Sequence, residues 1–221
     1  MQESPESVII EYGTYQAADE EEMVRLLGHV FSRYDPPAVA VGLEPSEFEA
    51  FVRLFCSRAA VEGLTIVARR ADTGELVGAM LTEDCASSPP DGMDRLSVKF
   101  KPIFDILGLL DAEYRGERVV AQGNWMHLFL LGVAGSVSGQ GVAQKLVSRC
   151  LENGASHGYR LAVTEATNRT SQHIFRKQGF VERVSRSYGA HRLEGRSVFA
   201  SIAEHGGPIL MDRVLGDVSI V

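Results

Sequence analysis

Between Val133 and Ala143 the chain reads Val-Ala-Gly-Ser-Val-Ser-Gly-Gln-Gly-Val-Ala. An apolar run breaks here into Gly and Ser, and a helical pattern follows at once, with Val142, Leu146, Val147, Cys150 and Leu151 on one face. A Gly-rich turn entering a helix aims several backbone N–H groups and the positive end of the helix dipole at one spot, which suits a phosphate. Two common phosphate turns fit poorly. A P-loop counted from Gly135 needs its second Gly at Gln140, and no Lys follows Gly141. A dinucleotide turn accepts Gly139 and Gly141 but meets Gln144 at its third Gly, with no acidic residue at the ribose distance. The three cysteines, Cys56, Cys85 and Cys150, have neither metal nor redox spacing, so neither a metal site nor a cysteine nucleophile is expected.

The elements that must position this turn follow from periodicity. Ser7 to Tyr12 reads as a first strand, and three Glu at 20–22 open a helix whose apolar face is Met23, Leu26, Leu27, Val30 and Phe31. Asp35-Pro36-Pro37 stops that helix. A second helix runs through Phe48, Phe51, Val52, Phe55, Cys56 and Ala59 to Gly63, and a hairpin of Leu64–Ala68 and Leu76–Leu81 turns at Asp72-Thr73-Gly74-Glu75. Residues 83–93 read as a loop, and a helix opened by Lys101-Pro102 follows, serving as a lid, a substrate wall or plain core. Gly123 to Val133 is the central strand, apolar enough to be buried on both faces. Tyr159–Thr164 is a strand, Asn168–Gln178 a helix closed by Gly179, Phe180–Ser187 a strand, and Pro208–Val214 the last strand. The order is mixed α/β in a single domain spanning 1–221.

Composition narrows the class. The 221 residues are 45% hydrophobic, enough for a core, and the net charge of −7 with no basic block disfavours nucleic acid. No stretch approaches ~20 uninterrupted apolar residues, so no membrane span is expected. The N-terminus lacks the features of a signal peptide and the cysteines are odd and scattered. A cytoplasmic globular protein, monomer or homodimer, is the expectation.

A second motif gives the turn a context. Asn168, Ser171, Ile174, Phe175, Lys177, Gly179 and Phe180 match Asn-x-x-Ala/Ser-x-x-Leu/Ile-Tyr/Phe-x-Lys-x-Gly-Phe. The turn itself matches Val-x-x-x-x-Arg/Gln-Gly-x-Gly-Ile/Val-Gly/Ala except at one position. Together, in this order, the two resemble the GNAT superfamily of acetyl-CoA-dependent N-acetyltransferases. The helical region ending in Asp35-Pro36 and the tail from Val198-Phe199 through His205 to Met211 look like the insect-type arylalkylamine N-acetyltransferase branch.

The resemblance implies a central, mostly antiparallel mixed sheet splayed at its middle and flanked by helices. It implies acetyl-CoA as cosubstrate and a small primary amine, an (aryl)alkylamine, as acceptor, attacking directly in a ternary complex. Alternatives are a protein amine or an aminoglycoside as acceptor, or a non-catalytic acyl-CoA sensor. The backbone of Ser138, Gly139, Gln140, Gly141, Val142 and Ala143 would hold the pyrophosphate. The edge of Leu131, Gly132 and Val133 would bind the pantetheine arm, with Asn168, Ser171 and Phe175 on the other side. Branch members place an acidic base after the first helix and two hydroxyls around the second motif, which fall on Asp35, Thr167 and Ser171. Vertebrate-type relatives use two strand histidines, and His127 matches one while Phe129 replaces the other. Two departures stand out: Ser138 replaces the usual Arg/Gln, and Phe175 replaces a Tyr that many members use as general acid.

Overall fold

A computed structural model describes residues 8–216. Seven strands form one sheet in the order β1-β2-β3-β4-β5-β7-β6. They are β1 (Ile10–Thr14), β2 (Ile66–Arg70), β3 (Leu76–Asp84), β4 (Trp125–Val133), β5 (Leu161–Ala166), β6 (Val181–Ser185) and β7 (Ile209–Val214). Every neighbouring pair is antiparallel except β4 and β5. That parallel pair is short. It runs from Trp125↔Leu161 to His127↔Val163 and stops, so the rest of β4 leaves its partner and the sheet opens as a wedge. The mixed sheet, splayed at its middle, is the architecture the resemblance implies.

Helices cover both faces. On one side lie α1 (Glu20–Tyr34), α2 (Pro36–Ala40), α3 (Pro45–Glu62) and α4 (Lys101–Arg115). Met23, Leu27, Phe48, Phe51, Phe55 and Ile106 pack there against Ala79, Leu81 and Leu130. On the other side α5 (Val142–Ser156) and α6 (Arg169–Lys177) bury Leu146, Val147, Cys150 and Phe175 against Met80, Met126 and Leu128. The caps are local. Glu20, Glu21 and Glu22 occupy the first turn of α1, while Glu44 and Glu47 form a capping box at α3, whose C-cap Gly63 has φ 65°.

Several expectations shift. Ser7, the start of the predicted first strand, lies outside the described residues, and that strand runs instead from Ile10. Asp35-Pro36-Pro37 ends α1 and also begins α2, because Pro at the first two helical positions loses no hydrogen bond. β3 extends to Asp84, where a loop was expected, since Glu83 and Asp84 pair with His127 and Met126. The largest correction concerns β4, expected to be buried on both faces. Leu81 pairs with Leu130 but Thr82 with Leu128, so Phe129 is the extra residue of a bulge. Below it Met126 and Leu128 face α5; Phe129 and Leu130 both face α1 and α3; Leu131 and Val133 return to the α5 side. The residues alternating with the fully buried ones, His127, Phe129, Leu131 and Val133, stay half-buried because the wedge opens beside them. Helix α4 proves to be both core and wall. Ile106 and Leu110 are fully buried, whereas Phe104, Leu107 and Asp111 line a cavity.

Candidate active site

The turn after β4 is a short 3₁₀ coil, Gly135–Val137, then Ser138 in extended backbone, then Gly139 and Gly141 at φ 78° and 77°. Nothing lies within 4 Å of a Cβ built on either glycine, so it is the left-handed backbone rather than crowding that requires them. Gly141 is the N-cap of α5, a 15-residue helix with no acidic residue in its first turn. The amides of Gly139, Gly141, Val142, Ala143 and Gln144 make no hydrogen bond with the described residues. Lys145 is the first whose N–H closes onto the helix, donating to Gly141 O at 3.0 Å. Two members of the expected set drop out as N–H donors. Ser138 N–H donates to Gly135 O at 3.1 Å and Gln140 N–H to Val137 O at 3.4 Å, because each closes a tight turn. What remains is a nest of free amides on a helix dipole, fit for an anion.

The wedge adds an unpaired strand edge to the site. Beyond His127 the edge of β4 facing β5 has no strand partner among the described residues, and Leu131, Gly132 and Val133 lie on it. At Gly132 a Cβ would sit 2.7 Å from Leu27 Cδ2, so glycine there lets α1 lie close on the strand. Thr164 Oγ1 donates to Leu128 O at 2.8 Å across the beginning of the opening. An unpaired edge of this kind offers alternate N–H and C=O groups to an extended polar ligand, as an added strand would.

Beside the wedge lies a cavity of about 380 Å³. Its apolar wall is phenylalanine: Phe31 stacks on Phe48 at 4.8 Å, Phe100 on Phe104 at 5.4 Å, and Phe51 meets Phe129 edge-on at 5.6 Å. Asp35 lines this cavity at 7% exposure. As N-cap of α2 its Oδ2 accepts from Ala38 N–H at 3.3 Å, and its Oδ1 accepts from the Thr167 hydroxyl at 2.5 Å. Burial pushes the Asp35 carboxyl up to about 6, against the lowering effect of those two donors. Tyr188, fully buried, donates to Thr167 O at 2.7 Å and so fixes the residue that holds Asp35. Asp35 and Thr167 are 132 residues apart and arrive together because Thr167 follows the end of β5 while Asp35 follows α1.

His127 sits in a different environment. Its Nε2 is 2.6 Å from Glu165 Oε2 on β5, and its Nδ1 is 3.5 Å from Glu83 Oε1 on β3. Burial alone would lower its pKa, but the two carboxylates outweigh burial and hold the imidazolium well above its ordinary range. Glu165 is correspondingly lowered, the charge of His127 overcoming the effect of burial. A ring already protonated at neutral pH has no lone pair to offer an ammonium proton. Glu165 was not singled out in the sequence, where it falls one residue past the expected strand Tyr159–Thr164; β5 in fact continues to Ala166.

The second motif has mainly a structural use of its polar atoms. Asn168 caps α6, its Oδ1 accepting from Ser171 N–H at 2.9 Å. The Ser171 hydroxyl donates back to Asn168 O at 2.9 Å. Phe175, one turn beyond Ser171, is 2% exposed and meets Phe180 edge-on. Asn168, Ser171 and Phe175 all line the cavity.

The site thus combines a splayed sheet, an amide nest at a helix N-terminus and a buried carboxyl beside an apolar cavity. The acetyltransferase (GNAT) family model matches residues 27–180, and the chain belongs to that family. Among solved structures, the C-terminal condensation domain of Ebony in complex with β-alanyl-dopamine superposes with a TM-score of 0.85 at 12% identity, covering 94% of this chain and 99% of that one. Arylalkylamine N-acetyltransferase 2 from Aedes aegypti gives 0.77 at 20% identity over 94% and 99%. A Drosophila melanogaster polyamine N-acetyltransferase, described as forming N-acetylagmatine, gives 0.75 at 18% over 94% and 100%. At these identities the likeness is one of fold.

Proposed function

We propose that this chain transfers the acetyl group of acetyl-CoA to a small primary amine, an arylalkylamine, by direct attack in a ternary complex. The observation that carries the reading is Asp35: a buried carboxyl with no basic partner among the described residues, raised to about 6, on the wall of a phenylalanine-lined cavity that opens onto the wedge. Acetyl-CoA fits the features present, since its pyrophosphate matches the free amides of Gly139, Gly141, Val142 and Ala143 and its pantetheine amides match the edge of Leu131 to Val133. When bound it supplies an activated acyl thioester.

The chain's own residues do the rest. The phenylalanine wall takes the organic body of the amine and excludes water. An alkylammonium is inert as a nucleophile, so a proton must leave its nitrogen. Asp35 is the acceptor: ionised above about pH 6, it first attracts the ammonium and then removes the proton at Oδ1 or Oδ2. Thr167 orients that carboxylate through its hydroxyl and Tyr188 orients Thr167. Phe175 brings no proton to the site, and Ser171, one helical turn earlier on α6, assists the departing sulfur by turning its O–H from Asn168 O toward the thiolate. His127 serves here as a charge partner of Glu165 rather than as the base. The fold neighbours named for arylalkylamine acetylation support this class of acceptor.

Thiol release from acetyl-CoA, measured across a panel of 2-phenylethylamine, agmatine, an unmodified peptide and an aminoglycoside, tests the proposal. The expected result is highest kcat/KM with 2-phenylethylamine and an acetamide product by mass. Preference for the peptide or the aminoglycoside, or release with none, refutes it.

A further inference from the structure

Among the described residues three carboxylates, Asp35, Asp111 and Glu165, line the cavity, and their partners differ. Asp111 accepts from Arg115 Nε at 2.6 Å, one helical turn away on α4. Glu165 faces His127 at 2.6 Å. Glu83, behind the same ring, is also 3.4 Å from Arg58. Asp35 alone among the three has only neutral partners, the Thr167 hydroxyl and the Ala38 amide. An entering ammonium therefore meets one carboxylate free to receive it, while each of the others already holds a cation of the chain.

We propose that His127 is a specificity-determining residue, standing as the built-in counter-ion of Glu165 and so restricting the acceptor to amines with a single positive charge. This rests on the amine-acetyltransferase reading above and deepens it. A second ammonium on the substrate reaches an apolar wall where the remaining carboxylates are neutralised and His127 and Arg115 are themselves positive. Attraction to phenylalanine faces does not offset the loss of water from an unpaired ammonium. Selectivity here comes from an element that repels the wrong substrate, not from an added contact to the right one. His127 is well placed for this, because it belongs to the last paired register between β4 and β5 and its ring bridges β3, β4 and β5 through Glu83 and Glu165.

The test compares pentylamine with 1,5-diaminopentane, which differ by one terminal ammonium. Each is titrated by calorimetry into CoA-saturated wild type, His127→Gln and the double variant His127→Gln/Glu165→Gln. Thiol release from acetyl-CoA with 2-phenylethylamine is run on the same preparations. Wild type is expected to bind the monoamine more tightly by about tenfold or more, and His127→Gln to shift the ratio by about tenfold toward the diamine, because it leaves Glu165 uncompensated. Adding Glu165→Gln is expected to remove the shift. A purely structural role for His127 weakens both amines in parallel and overturns the inference. Equal binding of the two amines by wild type overturns it too, without need of any variant, as does binding of neither. If 2-phenylethylamine is acetylated in those cases, the functional reading stands while this inference falls; if only diamines are acetylated, both fall.

Discussion

Replacing Asp35 with Asn is expected to make the protein more stable while disabling it. The Asp35 carboxyl rises from its ordinary 3.8 to about 6 because burial disfavours its charge more than two hydrogen bonds favour it. The folded chain thus binds this proton more tightly than the unfolded chain, so stability falls as pH rises from 3.8 to about 6 and levels off above that. At ~1.4 kcal/mol per pH unit, the ionised group costs the fold about 3 kcal/mol at neutral pH. Asn carries no charge and keeps the cap: its Oδ1 accepts from Ala38 N–H and its amide donates to the Thr167 oxygen, once that hydroxyl turns. Urea denaturation at pH 7.5 should show Asp35→Asn more stable than wild type by about 2–3 kcal/mol, the gap narrowing steadily toward pH 4. A variant less stable than wild type at pH 7.5, or a gap that does not change with pH, refutes the claim that Asp35 is buried at its own expense.

Other substitutions test the surrounding parts. Thr167→Val removes the donor that lowers Asp35, so the acidic limb of the rate profile should move up by about one pH unit and kcat at pH 7 should fall about twofold, as read from initial rates. Ser138→Arg places a guanidinium on an exposed residue of the turn and should tighten acetyl-CoA by about tenfold in a calorimetric titration, given ~1–3 kcal/mol for a charge-assisted hydrogen bond. Gly141→Val forces a β-branched residue into a left-handed conformation and should raise Kd for acetyl-CoA by about tenfold or more, at a cost to stability of about 1–2 kcal/mol; an unchanged Kd counts against the amide nest.

The sequence carried the turn, the capped helix after β5 and the alternation of strands and helices, because each is written in local spacing. Gly139 and Gly141 announce left-handed backbone, and Asn168 followed by Ser171 announces a helix N-terminus. What it could not carry was set by pairings between distant segments. The bulge at Phe129 depends on how β3 meets β4, and nothing near residue 129 marks it. Ser138 and Gln140 lose their amides to turns whose closure depends on dihedral angles rather than residue type. The contact of Asp35 with Thr167, and the ring of His127 between Glu165 and Glu83, arise only when the sheet is assembled. His127 therefore read as a lone strand histidine with a choice of roles, and its two carboxylates decide its charge.

The dependence of kcat on pH at saturating 2-phenylethylamine and acetyl-CoA addresses Asp35 as the base most directly. The account predicts a rate that rises through an apparent pKa near 6 in wild type, set by the buried carboxyl, and a residual rate in Asp35→Asn lower by about 10²–10⁴ that lacks this limb. A limb that persists unchanged in Asp35→Asn, or wild-type activity flat from pH 5 to 8, contradicts it.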